Sequence, residues 1–127
     1  RNTPLKYKDV VYHTNHALVN HAVKPWYEEY HKRVLEGPTK KNSTLTRFDA
    51  VAARYAEGVD YTVDLAKNTL RSKDNEKYPV CISYDDKKAA YSFSSVIFTL
   101  GSKPSVEVTF GSPDQSEYQK HFFKTAK

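Results

Sequence analysis

Residues 89–110, AAYSFSSVIFTLGSKPSVEVTF, contain the clearest strand signal in the chain. Residues 89–100 are rich in β-branched and aromatic side chains in an alternating pattern, and a second alternating run covers residues 105–110. Alternation of this kind is typical of strands, and the intervening Gly101-Ser102-Lys103-Pro104 is typical of a turn. We therefore predict a β-hairpin that ends at Gly111-Ser112-Pro113, followed by a polar tail.

Three helical segments are predicted upstream of this hairpin. Pro25 suits the first turn of a helix over Trp26–Leu35. An apolar stripe at helical spacing predicts a second helix over Thr46–Glu57, ended by Gly58. A third helix is predicted over Tyr61–Leu70, with Asp60 as its N-cap. Helices beside two or three strands give an α+β fold.

A further strand is predicted near the start of the chain, where Val10-Val11 leads into the polar sequence Tyr12-His13-Thr14-Asn15-His16. Alternate residues of a strand share a face, so His13 and Asn15 point one way. The amide of Asn15 can donate a hydrogen bond to a developing oxyanion, as acyl transfer requires. The alternative is that Asn15 caps the next turn.

The composition is that of a hydrophilic chain. It has 127 residues, 39% hydrophobic when tyrosine is counted. Counted with glycine and without tyrosine, the apolar share is roughly 34%, against ~45–50% in average soluble domains. The mean hydropathy is −0.74. Because the chain also begins with Arg1 and contains no methionine, we expect a processed subunit or fragment that completes its core with other polypeptide.

Several classes of function are disfavoured by the residues present. The net charge of +5 comes from scattered lysines, so the clustered basic face of nucleic-acid-binding proteins is not expected. No run approaches ~18 consecutive apolar residues, so no membrane span is expected. The single cysteine, Cys81, excludes an intrachain disulfide framework. No cofactor is indicated.

Individual polar residues each admit two interpretations. Arg47 is predicted in the first turn of the second helix, where the macrodipole disfavours a cation. It is therefore either solvated or held to meet an anion. Cys81 lies in an apolar run, which favours a buried, inert thiol over a nucleophile. Trp26 belongs to an aromatic set that either packs in the core or lines an acyl pocket.

A metal site is not expected at the histidines. His13 and His16 face opposite sides of the predicted strand, whereas paired metal ligands three residues apart need a helix.

Several motifs, taken in chain order, resemble those of the acyl-CoA:6-aminopenicillanic acid acyltransferase-like hydrolases. This family of N-terminal-nucleophile (Ntn) enzymes is related to penicillin V acylase and choloylglycine hydrolase. The similar motifs are His13-Thr14-Asn15-His16 (H-T-N-H), Thr44-Leu45-Thr46-Arg47 (S/T-x-x-R), Leu70–Asn75 (L-R-D-H-x-N), Tyr78–Ile82 (Y-P-x-x-I), Ser94–Leu100 (S-V-I-M-D-L) and Gly111-Ser112-Pro113 (G-x-P). Thr46-Arg47-Phe48 also resembles the S-R-F of the choloylglycine branch. The resemblance covers about Tyr12 to Tyr118.

The resemblance implies that residues 1–127 are the C-terminal part of a four-layer αββα sandwich with antiparallel strands. It implies hydrolysis or transfer at a linear amide or thioester of a small acyl substrate, through an acyl-enzyme on a terminal cysteine. Asn15 would match the oxyanion-hole asparagine and Arg47 the arginine beside the nucleophile. His13 and Trp26 are the candidate substrate-binding residues.

The chain departs from the family pattern at several positions. Thr99 replaces an aspartate, Ser72-Lys73 replaces Asp-His, and His21-Ala22 stands where acidic residues are frequent. Residue 1 is arginine, so the nucleophile is expected on a separate or missing segment, and that remaining chain is the expected partner. Self-association stays open. The alternative function is a non-catalytic binding or interaction module.

Overall fold

The structure, a computed structural model, describes residues 5–7, 10–12, 32, 43–56 and 58–123. Within them are the elements β1 (Leu5–Tyr7), β2 (Val10–Tyr12), α1 (Ser43–Arg54), α2 (Val63–Leu70), β3 (Val96–Thr99), β4 (Ser105–Val108) and β5 (Gln119–Phe122). This is an α+β arrangement, as the sequence predicted. The chain divides into two compact units, one with residues up to 59 plus 75–79, the other with residues 60–74 and those from 80 onward.

The first unit contains a short antiparallel pair of strands. Leu5 pairs with Tyr12 and Tyr7 pairs with Val10. The strand at Val10 is confirmed, whereas β1 was missed, because a three-residue strand with a central lysine has little pattern of its own. Its strand conformation comes from pairing with β2. The predicted segment His13–His16 lies outside the described residues, as does Trp26–Leu35 apart from helical Lys32.

Helix α1 begins and ends three residues before the predicted Thr46–Glu57. Leu45 and Phe48 are both half-buried and three residues apart, so the helical turn that carries Leu45 must begin ahead of it. After Arg54 the chain leaves through a turn in which Val59 N donates to Ala56 O at 3.4 Å. Gly58 has a φ of +84°, a conformation that glycine adopts without a Cβ penalty.

Helix α2 has a different N-cap from the one predicted. Thr62, not Asp60, is the cap, and its Oγ1 accepts a hydrogen bond from Leu65 N at 3.0 Å. A hydroxyl at this position satisfies one of the amides that the first turn leaves unpaired. Along the helix Leu65 and Leu70 are half-buried, Thr69 is buried and Val63 is exposed.

The second unit contains an antiparallel sheet in the order β3-β4-β5. The predicted hairpin is confirmed, with Val96 opposite Val108 and Thr99 opposite Ser105. The regular ladder covers Val96–Thr99, and bonds from Thr109 N to Ser95 O at 3.0 Å and from Gly111 N to Phe93 O at 3.1 Å continue the pairing ahead of it. The polar tail was a wrong prediction, because Gln119–Phe122 pairs with β4 as a third strand.

The two faces of this sheet have opposite characters. On one face Ser105, Glu107 and Thr109 are buried, and Lys67 of α2 binds Glu107 with Nζ to Oε1 at 2.7 Å. The other face, called the open face below, consists of Val96, Phe98, Val106, Val108, Gln119 and His121. Val96 is 48% and Phe98 62% exposed, whereas Val106 and Val108 on the central strand are half-buried. A sheet with one solvated face usually directs its apolar side chains inward, so this arrangement is reversed.

Candidate functional site

Arg47, the one candidate catalytic residue in the described part of the chain, is anchored to the backbone. It is the fifth residue of α1 rather than a first-turn residue, so the predicted conflict with the helix dipole is weaker than expected. Its side chain is half-buried, and its Nε donates to Pro79 O at 2.8 Å. Arg47 therefore has a fixed position and is not a fully solvated surface residue.

The carbonyl that holds Arg47 belongs to an ordered turn. Asn75 Oδ1 accepts hydrogen bonds from Lys77 N at 3.1 Å and Tyr78 N at 2.8 Å. An asparagine side chain that binds amides two and three residues later fixes the backbone of a turn. Lys77 Nζ also lies 5.2 Å from the centre of the Tyr78 ring. The turn thus positions Pro79 O in front of the guanidinium.

Asn15, His13 and Trp26 lie outside the described residues. Their predicted roles as oxyanion donor and substrate-binding residues therefore stay predictions.

A second polar constellation, the Asp114 cluster, consists of Asp114, Lys73, Cys81 and Ser83. Lys73 Nζ lies 2.6 Å from Asp114 Oδ2, and Ser83 Oγ donates to the same oxygen at 2.7 Å. Cys81 Sγ donates to Asp114 Oδ1 at 3.1 Å, and Lys73 Nζ also donates to Ser83 Oγ. One carboxylate thus receives three side-chain donors.

The protonation states of the cluster follow from these contacts. Burial by itself raises the pKa of the Asp114 carboxyl, but the hydrogen bonds from Lys73, Ser83 and Cys81 and the Lys73 charge outweigh burial. The net result lowers that pKa from 3.8 to about 2. Burial, reinforced by the hydrogen bond to Asp114, raises the pKa of the Cys81 thiol.

These states favour a structural role for the cluster over a catalytic one. Cys81 is 0% exposed, so its protonated thiol is a poor nucleophile. Lys73 is paired with a carboxylate, and a general base would have to be neutral. Asp114 was not predicted, because it lies after Gly111-Ser112-Pro113 in a segment without a recognisable motif.

The loop that carries Asp114 is held in place by Arg71, the C-cap residue of α2, and by its own backbone conformation. Arg71 donates from Nε to Pro113 O at 2.7 Å and from Nη2 to Ser116 O at 3.0 Å. Its guanidinium lies 4.9 Å from the centre of the Tyr118 ring. Gly111 has a φ of +129°, and a Cβ there would meet Ser116 Oγ at 2.5 Å. A side chain here would strain the backbone and displace Ser116, so the loop favours glycine at this point.

Among the described residues, no group of three or more His, Cys, Asp or Glu side chains could hold a metal ion. None of the helices in that same part of the chain is long and apolar enough to cross a membrane.

The chain was compared with models of protein families, with curated proteins and with solved structures. None of the three comparisons found a significant match. The family resemblance therefore rests on the motifs quoted above.

Proposed function

We propose that this chain is the C-terminal part of an N-terminal-nucleophile amide hydrolase or acyltransferase. The enzyme acts on a linear amide or thioester through an acyl-enzyme, and its nucleophilic cysteine begins a separate polypeptide. In this proposal Arg47 lies beside the nucleophile, Asn15 donates to the oxyanion, and His13 and Trp26 contact the acyl substrate.

The observation that carries the proposal is the reversed sheet of the second unit. Helix α2 covers the polar face through the ion pair of Lys67 with Glu107, whereas Val96 and Phe98 on the open face are exposed. A helix layer on one side and an apolar surface on the other is what half of an αββα sandwich presents when the second sheet is missing. The low apolar content of the chain has the same explanation.

The size of the open face favours a larger partner over a second copy. Three strands ~4.8 Å apart and four residues of ~3.3 Å each give about 200 Å² per face. Two copies stacked through it would bury about 400 Å², whereas stable interfaces bury roughly 1,200–2,000 Å². A chain that folds together with this one has no such limit, because it adds contacts elsewhere.

The geometry of Arg47 suits the role that the proposal gives it. A guanidinium has five N–H donors in a rigid plane, and the bond from Nε to Pro79 O uses one of them and sets the plane. An arginine held in this way can orient a carboxylate or carbonyl with its remaining fork. A lysine could not, because its ammonium is a point charge on a flexible stem.

The open face also supports a second candidate, a non-catalytic interaction module. An exposed apolar patch is typical of a protein-binding surface whether or not chemistry takes place nearby. The two candidates differ in what accompanies the chain and in whether a reactive thiol is present.

Purification under native conditions distinguishes these candidates. If the chain is part of the proposed enzyme, a polypeptide whose first residue is cysteine copurifies with it and is detected by intact mass and N-terminal sequencing. If the chain is a non-catalytic interaction module, it is instead purified as a stable monomer without such a polypeptide. A stable monomer would therefore favour the interaction module over the enzyme.

A further inference from the structure

Residues 75–79 contain the backbone carbonyl to which Arg47 is anchored. They belong to the same compact unit as α1, whereas the residues before and after them in sequence belong to the other unit. Arg47 Nε donates to Pro79 O at 2.8 Å across 32 positions of sequence. The direction of the guanidinium is therefore set by the conformation of a turn that is distant from α1 in sequence.

The side chain of Asn75 controls the conformation of this turn. Its Oδ1 accepts hydrogen bonds from Lys77 N and Tyr78 N, the second of them at 2.8 Å. A single oxygen that binds amides two and three residues later ties the start of the turn to its end. An alanine at this position would remove the acceptor from both amides.

Pro79 restricts the end of the same turn. Its ring fixes its own φ at about −65°, and the ring also disfavours the helical conformation for Tyr78. Neither restriction reaches the backbone between Asn75 and Tyr78, which the two hydrogen bonds to Asn75 hold. The direction of the Pro79 carbonyl therefore depends on the proline ring and on the Asn75 side chain together.

We infer that Asn75 is a positioning residue for the acyl transfer, acting through Pro79 O on Arg47. This role rests on the function proposed above, in which Arg47 lies beside the nucleophile. Asn75 touches no substrate in this role, because its oxygen is used by two backbone amides. A displacement of about 1 Å in a reacting group can lower a rate by ~10²-fold. Loss of the turn therefore lowers turnover through a displaced guanidinium.

The hydrogen bonds of Asn75 distinguish between substitutions at this position. Asn75→Ala removes the acceptor, whereas Asn75→Asp keeps it, because a carboxylate oxygen also accepts from amide N–H groups. Asn75→Ser makes the same type of turn more weakly, so it gives an intermediate effect and replaces the alanine variant if that variant does not fold. Glu76→Ala, at an exposed position of the same turn, is the matched control.

The Nε–H group of Arg47 reports on the positioning independently of turnover. Its exchange with solvent is followed by nuclear magnetic resonance in the native assembly with isotope-labelled arginine. We expect Asn75→Ala to speed this exchange at least about tenfold, because the acceptor Pro79 O is no longer held in place. Asn75→Asp and Glu76→Ala should leave the exchange rate unchanged. Unchanged exchange in Asn75→Ala would overturn the inference.

Steady-state kinetics with the thioester S-phenyl thioacetate as the probe test the effect on the reaction. We expect Asn75→Ala to lower kcat about 10–100-fold with KM largely kept, and Asn75→Asp to retain turnover. In an Arg47→Lys background, Asn75→Ala should lower kcat no further, because both changes act through one side chain. A merely structural role would add its full loss in that background and would overturn the inference.

The same kinetics separate failure of this role from failure of the proposed function. Wild-type kcat in Asn75→Ala, measured while Arg47→Lys loses turnover, would overturn the role of Asn75 alone. Absence of turnover in the wild-type assembly would overturn the proposed function, and the role of Asn75 with it.

Discussion

Replacing Asp114 by asparagine removes the charge at the centre of the Asp114 cluster while the side-chain shape is kept. A pKa lowered from 3.8 to about 2 corresponds to about 2 kcal/mol of stabilisation at neutral pH. The Asp114 side chain is 13% exposed, but Lys73 is 49% exposed, so solvent screens part of the attraction. We therefore expect Asp114→Asn to lower the free energy of unfolding by about 1–2 kcal/mol at pH 7.

The pH dependence of this loss has a definite sign. Because the pKa of Asp114 is lower in the folded protein, the stabilisation is complete above the unfolded pKa of 3.8 and is lost as the pH falls through about 2. Urea unfolding of the complete protein, followed by circular dichroism from pH 7 to pH 2.5, measures the difference between wild type and variant. Asp86→Asn, at an exposed position, is the matched control. A difference that equals that of the control, or that does not shrink in acid, would refute the role given to the cluster.

Three further predictions concern the fold and the candidate site. Residues 1–127 expressed alone should show no cooperative thermal transition, since a small sheet with an exposed apolar face is marginal; a sharp calorimetric peak would contradict this. Arg47→Lys should lose most turnover with little change in melting temperature, because a point charge cannot replace the planar fork. The control variant Arg54→Lys, at the end of the same helix, should retain turnover. Asn15→Ala should lower kcat by ~10²–10³ with KM largely kept, and Asn15→Asp should be at least as poor because a carboxylate only accepts; near-normal steady-state rates would remove the oxyanion role.

Local sequence patterns predicted those elements whose conformation is decided locally. The apolar spacing around Phe48 specified a helix, and the run before Gly101 specified a hairpin. The β5 strand, with Lys120 and His121, has no such local pattern. Its strand conformation comes from pairing with β4 and was therefore not predictable from the segment itself. The regular ladder of β3 is shorter than the alternating run, although bonds from Thr109 and Gly111 continue the pairing back to Phe93.

The candidate site was predictable only where a motif could be quoted. Arg47 was selected by its motif, but its bond to Pro79 joins residues 32 positions apart and depends on the turn made by Asn75. Asp114 belongs to no pattern that the sequence displays. Its importance comes from three donors, Lys73, Cys81 and Ser83, which surround its carboxylate only after the chain has folded.

The most direct test of the proposed chemistry is to trap the acyl-enzyme. The native assembly would be mixed with an activated acyl ester, quenched in acid and analysed by peptide mass mapping. We expect one acyl group, bound as a thioester to the N-terminal cysteine of the copurifying polypeptide, while Cys81, buried beside Asp114, stays unmodified. Acylation of Cys81, or the absence of any acylated thiol during turnover, would contradict the proposal that an N-terminal cysteine carries out the reaction.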